Sequence, residues 1–187
     1  MQIGFYFDQT RCIGCDTCVI ACKDYNNIPT GINWNRVATI ESVDGYPPFV
    51  AFLVMQCYHC VKPACLTACP VDAIVKRQED GIVIVDQEKC IGYDNCGSCL
   101  EACPYNVPVF RGKDAKMEKC DFCIDRLIAN KKSMCVDACP TRALDVGDIE
   151  ELRTKYGDIN KASGFVYSVG TQPCIIFKPK NSLDKLK

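Results

Sequence analysis

The chain has 187 residues, 22 of them basic and 23 acidic, for a formal net charge of −1. That balance leaves no electrostatic footprint for nucleic acid or an anionic membrane surface, and the most apolar stretch, Pro47 to Cys57, falls far short of the ~20 residues that cross a bilayer. Cysteine breaks the plain pattern: 17 occur, and so many thiols in a chain of this size mean that metal ligation supplies much of the folding energy.

Ile3-Gly-Phe-Tyr-Phe-Asp8 reads as a short strand feeding a first run of cysteines, Cys12, Cys15, Cys18 and Cys22. Asn26 to Gln56 follows as a connecting segment, with a short loop and strands expected at Val37 to Val43 and Val50 to Met55 around the turn-rich Asp44-Gly-Tyr-Pro-Pro48. The second run is Cys57, Cys60, Cys65 and Cys69, leaving through a strand at Cys69-Pro-Val-Asp-Ala-Ile74. A hairpin signal at Glu79-Asp-Gly81 leads into the strand Ile82-Val-Ile-Val-Asp86. The third run, Cys90, Cys96, Cys99 and Cys103, carries three extra residues, with Tyr93 standing where a second cysteine is expected. The fourth, Cys120, Cys123, Cys135 and Cys139, leaves through Cys139-Pro-Thr-Arg-Ala-Leu144. Asp148 to Tyr156 reads as a helix with Asp148 as N-cap, Glu151 at the third helical position and Gly157 as its stop. Cys174 to Phe177 makes a closing strand, and the lysine-rich tail is expected to be loose.

The first run is spaced C-x2-C-x2-C-x3-C, the pattern with which bacterial ferredoxins hold iron–sulfur clusters, although Lys23 replaces the usual proline after its last cysteine. A disulfide scaffold fits poorly, because C-x2-C recurs in all four runs and no export signal is read at the N-terminus. A zinc-built module fits poorly too, given three Cys-Pro endings. In two-cluster ferredoxins the fourth cysteine of each run ligates the other cluster, and the order of entering and leaving strands pairs run two with run three and run four with run one. The expected sets are Cys12, Cys15, Cys18 and Cys139 for cluster one, and Cys57, Cys60, Cys65 and Cys103 for cluster two. Cys90, Cys96, Cys99 and Cys69 form cluster three, and Cys120, Cys123, Cys135 and Cys22 cluster four.

The fold class expected is therefore α+β, with two ferredoxin-like dicluster units, one inserted in the other, plus extra strands and a C-terminal helix. Residues 1–25 with 115–147 form a permuted unit and residues 50–114 the inserted one, with 26–49 connecting and 148–187 as C-terminal helix, strand and tail. Gly14 and Gly92 should bend the ligand loops so that backbone N–H groups can point at sulfur. The stretched third run reads as a longer loop that still closes a cubane, against a cluster lost or rebuilt with three irons. His59, between two ligands of a run that already has four thiolates, reads as a supporting or interface residue instead of a ligand. Tyr58, Tyr93, Tyr105 and Phe122 read as cluster packing. Cys174 reads as a buried thiol, and no acid–base pair or open ligand position marks a catalytic centre.

The four-run order, Cys12-Ile-Gly-Cys15-Asp-Thr-Cys18-Val-Ile-Ala-Cys22-Lys-Asp24, Cys57-Tyr-His-Cys60-Val-Lys-Pro-Ala-Cys65, Lys119-Cys120-Asp-Phe-Cys123 and Glu151-Leu-Arg-Thr-Lys-Tyr-Gly157 resemble the iron–sulfur subunits of dimethyl-sulfoxide-reductase-type molybdenum or tungsten oxidoreductases. The resemblance covers nearly the whole chain. It implies a non-catalytic relay of four [4Fe–4S] clusters, ordered one, four, two, three, with cluster one near a large molybdopterin or tungstopterin catalytic subunit. It also implies a quinone-linked membrane anchor or a soluble redox partner at the far end, and a location in the cytoplasm, at a membrane through partners, or across it by partner-assisted export. A free-standing polyferredoxin is the alternative.

Overall fold

The computed structural model describes residues 1–42, 48–112 and 115–180. The turn expected at Asp44 to Pro48 and the tail from residue 181 lie, but for Pro48, outside these residues. The architecture is α+β, built from small sheets and short helices.

Strand β1 (Ile3–Asp8) is the centre of the largest sheet and is buried along its whole length. It pairs antiparallel with β8 (Leu144–Asp148) and parallel with β9 (Ile175–Lys178). An apolar run with both faces covered is what such a central position requires. Phe5 and Phe7 point into the main core with Phe177, while Tyr6 and Ile176 on the opposite face meet Ile149 and Leu152. Those two residues belong to helix α6 (Ile149–Tyr156), whose N-cap Asp148 accepts the Glu150 and Glu151 N–H groups at 3.0 and 3.4 Å, and which ends at Gly157 with φ 88°. The expected helix and both its signals are therefore present. Tyr156 stacks on Tyr6 with centroids 3.7 Å apart.

The connecting segment forms one hairpin, β2 (Asn35–Ser42) against β3 (Phe49–Gln56), in a register that pairs Asn35 with Gln56 and Ser42 with Phe49. Strands β4 (Ile74–Lys76) and β5 (Val83–Val85) form the second hairpin. Its turn is closed by Arg77, 2.8 Å from Glu79 and 3.1 Å from Asp80, with Gly81 at φ 70°. A small hairpin that the sequence does not announce, β6 (Val109–Phe110) with β7 (Met117–Glu118), lies between the third and fourth runs.

Helices α2 (Ala64–Thr67), α3 (Ser98–Ala102) and α5 (Met134–Asp137) each stop within two residues of a Cys-Pro. Proline cannot donate the N–H that continuation would need. Helix α1 (Thr17–Tyr25), with Lys23 in place of proline, runs on through Cys22 for three more residues. Lys23 then ties down the following loop by donating to Pro29 O, Ile32 O and Asn33 Oδ1. A further short helix, α4 (Ile124–Ile128), sits inside the fourth run.

Candidate functional site

The cysteines gather in groups of four at the ends of these short helices. One small cavity is lined by Cys12, Cys15, Cys18 and Cys139, walled by Phe7, Val37, Val54 and Leu144. A second is lined by Cys57, Cys60, Cys65 and Cys103 with Tyr58, Val83, Tyr105 and Val107. A third has Cys69, Cys90, Cys96 and Cys99 with Ile74, Val85, Phe110 and Met117. The four remaining thiols of the runs also lie together: Cys120 feels the charges of Cys135 and Cys22, Cys22 feels Cys123, and Cys135 feels Cys123, Cys22 and Cys18. The pairing of α1 with α5 brings this last group together.

Burial governs the electrostatics of several of these thiols. It pushes Cys18, Cys22, Cys60 and Cys65 up to about 12 and Cys99 to about 11, and it drives Cys120 and Cys135 well above the ordinary thiol value. Neighbouring thiolates add to each rise. Cys15, on the surface, goes the other way because the Thr17 hydroxyl donates to its sulfur at 3.3 Å. Partly or fully buried thiols grouped in fours resist ionising together without a compensating cation, and all-thiolate quartets are the ligand set of iron–sulfur clusters. The residues present therefore fit that group. Among the described residues, no three His, Cys, Asp or Glu side chains are arranged around a single ion.

Backbone N–H groups reach several sulfurs. Ala73 N donates to Cys69 Sγ at 3.3 Å and Ala143 N to Cys139 Sγ at 3.3 Å, the same offset after two Cys-Pro pairs, while Phe122 N donates to Cys120 Sγ at 3.4 Å and Met117 N to Cys90 Sγ at 3.4 Å. Gly14 and Gly92 adopt φ 69° and 80°, the bends expected of them. In the third run the extra residues form a turn: Cys96 N donates to Gly92 O at 3.0 Å, Asn95 Nδ2 to Ile91 O at 2.9 Å, and half-exposed Tyr93 leans on Phe110 at 5.0 Å. The insertion thus bulges outward while its three cysteines still meet Cys69.

His59 is fully buried, and its Nδ1 accepts the Val83 N–H at 2.9 Å. It stacks at 4.1 Å on Phe122, which stacks at 4.3 Å on Phe5. Burial, then the charges of Lys119 and Lys76, hold its pKa well below the usual imidazole value, so the ring is neutral. It does not line the Cys57 cavity. Tyr58 donates to Val54 O at 3.1 Å and meets Tyr105 edge-on at 4.9 Å. Cys174 is buried just before β9, near enough to Cys60 to raise that thiol. Lys119, buried beside Cys120, stands in a motif quoted from the sequence but carried no role there; its place directly before the first ligand of the fourth run was the one available signal.

Short helices, small sheets and cysteine quartets define an iron–sulfur protein of the ferredoxin type. The family model for a 4Fe-4S dicluster domain matches residues 48–149, and that for a 4Fe-4S binding domain matches residues 9–26. The B subunit of the anaerobic dimethyl sulfoxide reductase of Escherichia coli is 41% identical over 186 residues, covering 95% of this chain and 89% of its own length. Its Haemophilus influenzae counterpart is 42% identical over 187 residues, with the same coverage of 95% and 89%. The thiosulfate reductase electron transfer subunit of Salmonella typhi is 38% identical over 153 residues, covering 80% of this chain and 78% of its own. The chain belongs to the family of iron–sulfur electron-transfer subunits of dimethyl-sulfoxide-reductase-type oxidoreductases. Among the described residues, no helix is long and apolar enough to cross a membrane.

Proposed function

We propose that the chain holds four [4Fe–4S] clusters, with the four ligand sets Cys12, Cys15, Cys18, Cys139; Cys57, Cys60, Cys65, Cys103; Cys90, Cys96, Cys99, Cys69; and Cys120, Cys123, Cys135, Cys22. It passes electrons along them to or from a metallopterin catalytic subunit and performs no chemistry of its own. The observation that carries the assignment is the crossing of the fourth cysteines: Cys139 lines the cavity of run one, Cys103 that of run two and Cys69 that of run three. The clusters, when bound, supply one-electron storage, and the protein supplies thiolates, N–H donors and apolar walls.

The same crossing supports nested units. Residues 1–25 and 115–147 make one, tied through the pairing of β1 with β8, and residues 50–114 make the other around the β4–β5 hairpin. The relay order one, four, two, three has support at each junction. Cys18 lies within electrostatic reach of Cys135, the Phe122–His59 stack bridges runs four and two, and α2 packs on α3 between the second and third sets. A quinone-linked anchor or a soluble redox partner then completes the path beyond cluster three. Two measurements test this reading. Iron analysis should give about sixteen irons per chain. Cys22→Ser should remove the electron paramagnetic resonance signal of the cluster at Cys120, Cys123 and Cys135; loss of the signal assigned to Cys12, Cys15 and Cys18 instead would overturn the pairing.

A further inference from the structure

Lys119 is 4% exposed, yet among the described residues no carboxylate pairs with its ammonium. Its Nζ donates to Val83 O and, at 3.1 Å, to Cys120 O, which uses two of three donors. The nearby carboxylates are engaged elsewhere: Glu118 accepts from Arg111 at 2.6 Å and from Trp34 Nε1 at 3.2 Å, and Asp121 accepts the Cys123 N–H at 2.8 Å. A buried cation left with carbonyl dipoles alone is costly, and a negative charge facing it would offset that cost.

The contacts it makes say where that charge lies. Lys119 belongs to the stem of run four, but its ammonium reaches β5, beside the Cys57 cavity of run two. The geometry joins these parts through one residue. Val83, which lines the Cys57 cavity, gives its N–H to His59 Nδ1 and takes the Lys119 ammonium on its carbonyl.

We propose that Lys119 is a fixed positive charge, delivered across the junction between the two cysteine units, that makes the cluster at Cys57, Cys60, Cys65 and Cys103 easier to reduce than its surroundings alone would allow. The proposal rests on the ligand assignment above. Reduction adds one electron from the neighbouring cluster and no proton; the added negative charge is felt by the buried Lys119 across Val83, and net charge and hydrogen bonding set the potential of such clusters. Lys76 is a second cation at the same quartet, donating to Cys60 O at 2.7 Å and Gln2 Oε1 at 2.7 Å, but it is partly solvated and its field is better screened.

The test is a redox titration of the intact complex followed by electron paramagnetic resonance, with the signal of this cluster identified by its loss in Cys57→Ser. In Lys119→Met the midpoint of that one cluster should fall by ~59 mV or more, a tenfold change in its reduced-to-oxidised ratio at fixed potential. Lys119→Arg should restore most of it, and Lys76→Met should move it less. If Lys119→Met does not assemble with full iron, Lys119→Gln against Lys119→Arg makes the same comparison. An unchanged midpoint, or an equal shift at every cluster, overturns the proposal. Iron and signals that survive Cys57→Ser intact overturn the ligand assignment instead, so the two failures are distinct.

Discussion

Two residues at the end of β8 and the start of β1 fix how α6 sits on the sheet. The Asp148 carboxylate receives two N–H groups of the first helical turn and, at 3.4 Å, the Gln2 N–H. Asp148→Ala should lower the stability of the loaded protein by about 1 kcal/mol, the usual cost of losing an N-cap. Gly4 is the tighter constraint, because a Cβ there would lie 2.5 Å from Ile149 Cδ1 and 2.8 Å from the Cys174 carbonyl oxygen. The isoleucine can turn aside and the backbone oxygen cannot. Gly4→Ala should therefore be the more damaging change, at roughly 1–3 kcal/mol; thermal unfolding followed by circular dichroism checks both, and the reverse ranking would contradict this account of the contact. The cap and Gly157 were legible in the sequence because capping is local. Gly4 and Lys119 were not, since each depends on atoms far along the chain, Val83 lying 36 residues from Lys119.

The helices that stop beside Cys-Pro set the contrast for α1. With Lys23 at the proline position, the helix gains nearly a turn and its ammonium organises the loop that leads to β2. Lys23→Ala should leave the iron content unchanged but free that loop. Loss of ~1.4 kcal/mol of charged hydrogen bonding is a tenfold gain in local opening, to be read as about tenfold faster amide exchange over residues 26–34; unchanged exchange would show that the loop is held by other contacts. Strand existence was readable wherever the pattern was long or flanked by turn residues: β1, the β2–β3 pair, the β4–β5 hairpin and the closing strand, displaced by one residue to Ile175–Lys178. The β6–β7 pair escaped because two residues carry no periodicity. Nor could periodicity show that β9 runs parallel beside β1; that placement follows from contacts over more than 160 residues.

At the scale of the molecule, three of the four proposed ligand sets each line a common cavity; the proposal was legible because ligand spacing is a local code and the strands flanking each run suggest the pairing. The charged and aromatic contacts between runs two and four had no such code. The core itself depends on the thiols: Cys18, Cys120, Cys135 and Cys139 sit inside the main cluster of buried side chains, beside Phe5, Phe7 and Phe122. Three small cysteine-lined cavities lie in and beside it, and empty they would forfeit the contacts of the side chains around them. Most of the helices are four or five residues long and form no stable structure alone. Folding and metal loading are therefore one process, in which binding free energy serves as folding free energy. Stripping iron anaerobically with a chelator should abolish the cooperative thermal transition and expose all 17 thiols to an alkylating reagent, with Cys174, which is no member of a quartet, reacting as fast as the rest. If Cys174 stays protected after iron is gone, the three-stranded sheet around β1 folds on its own, and metal organises only the loops hung from it.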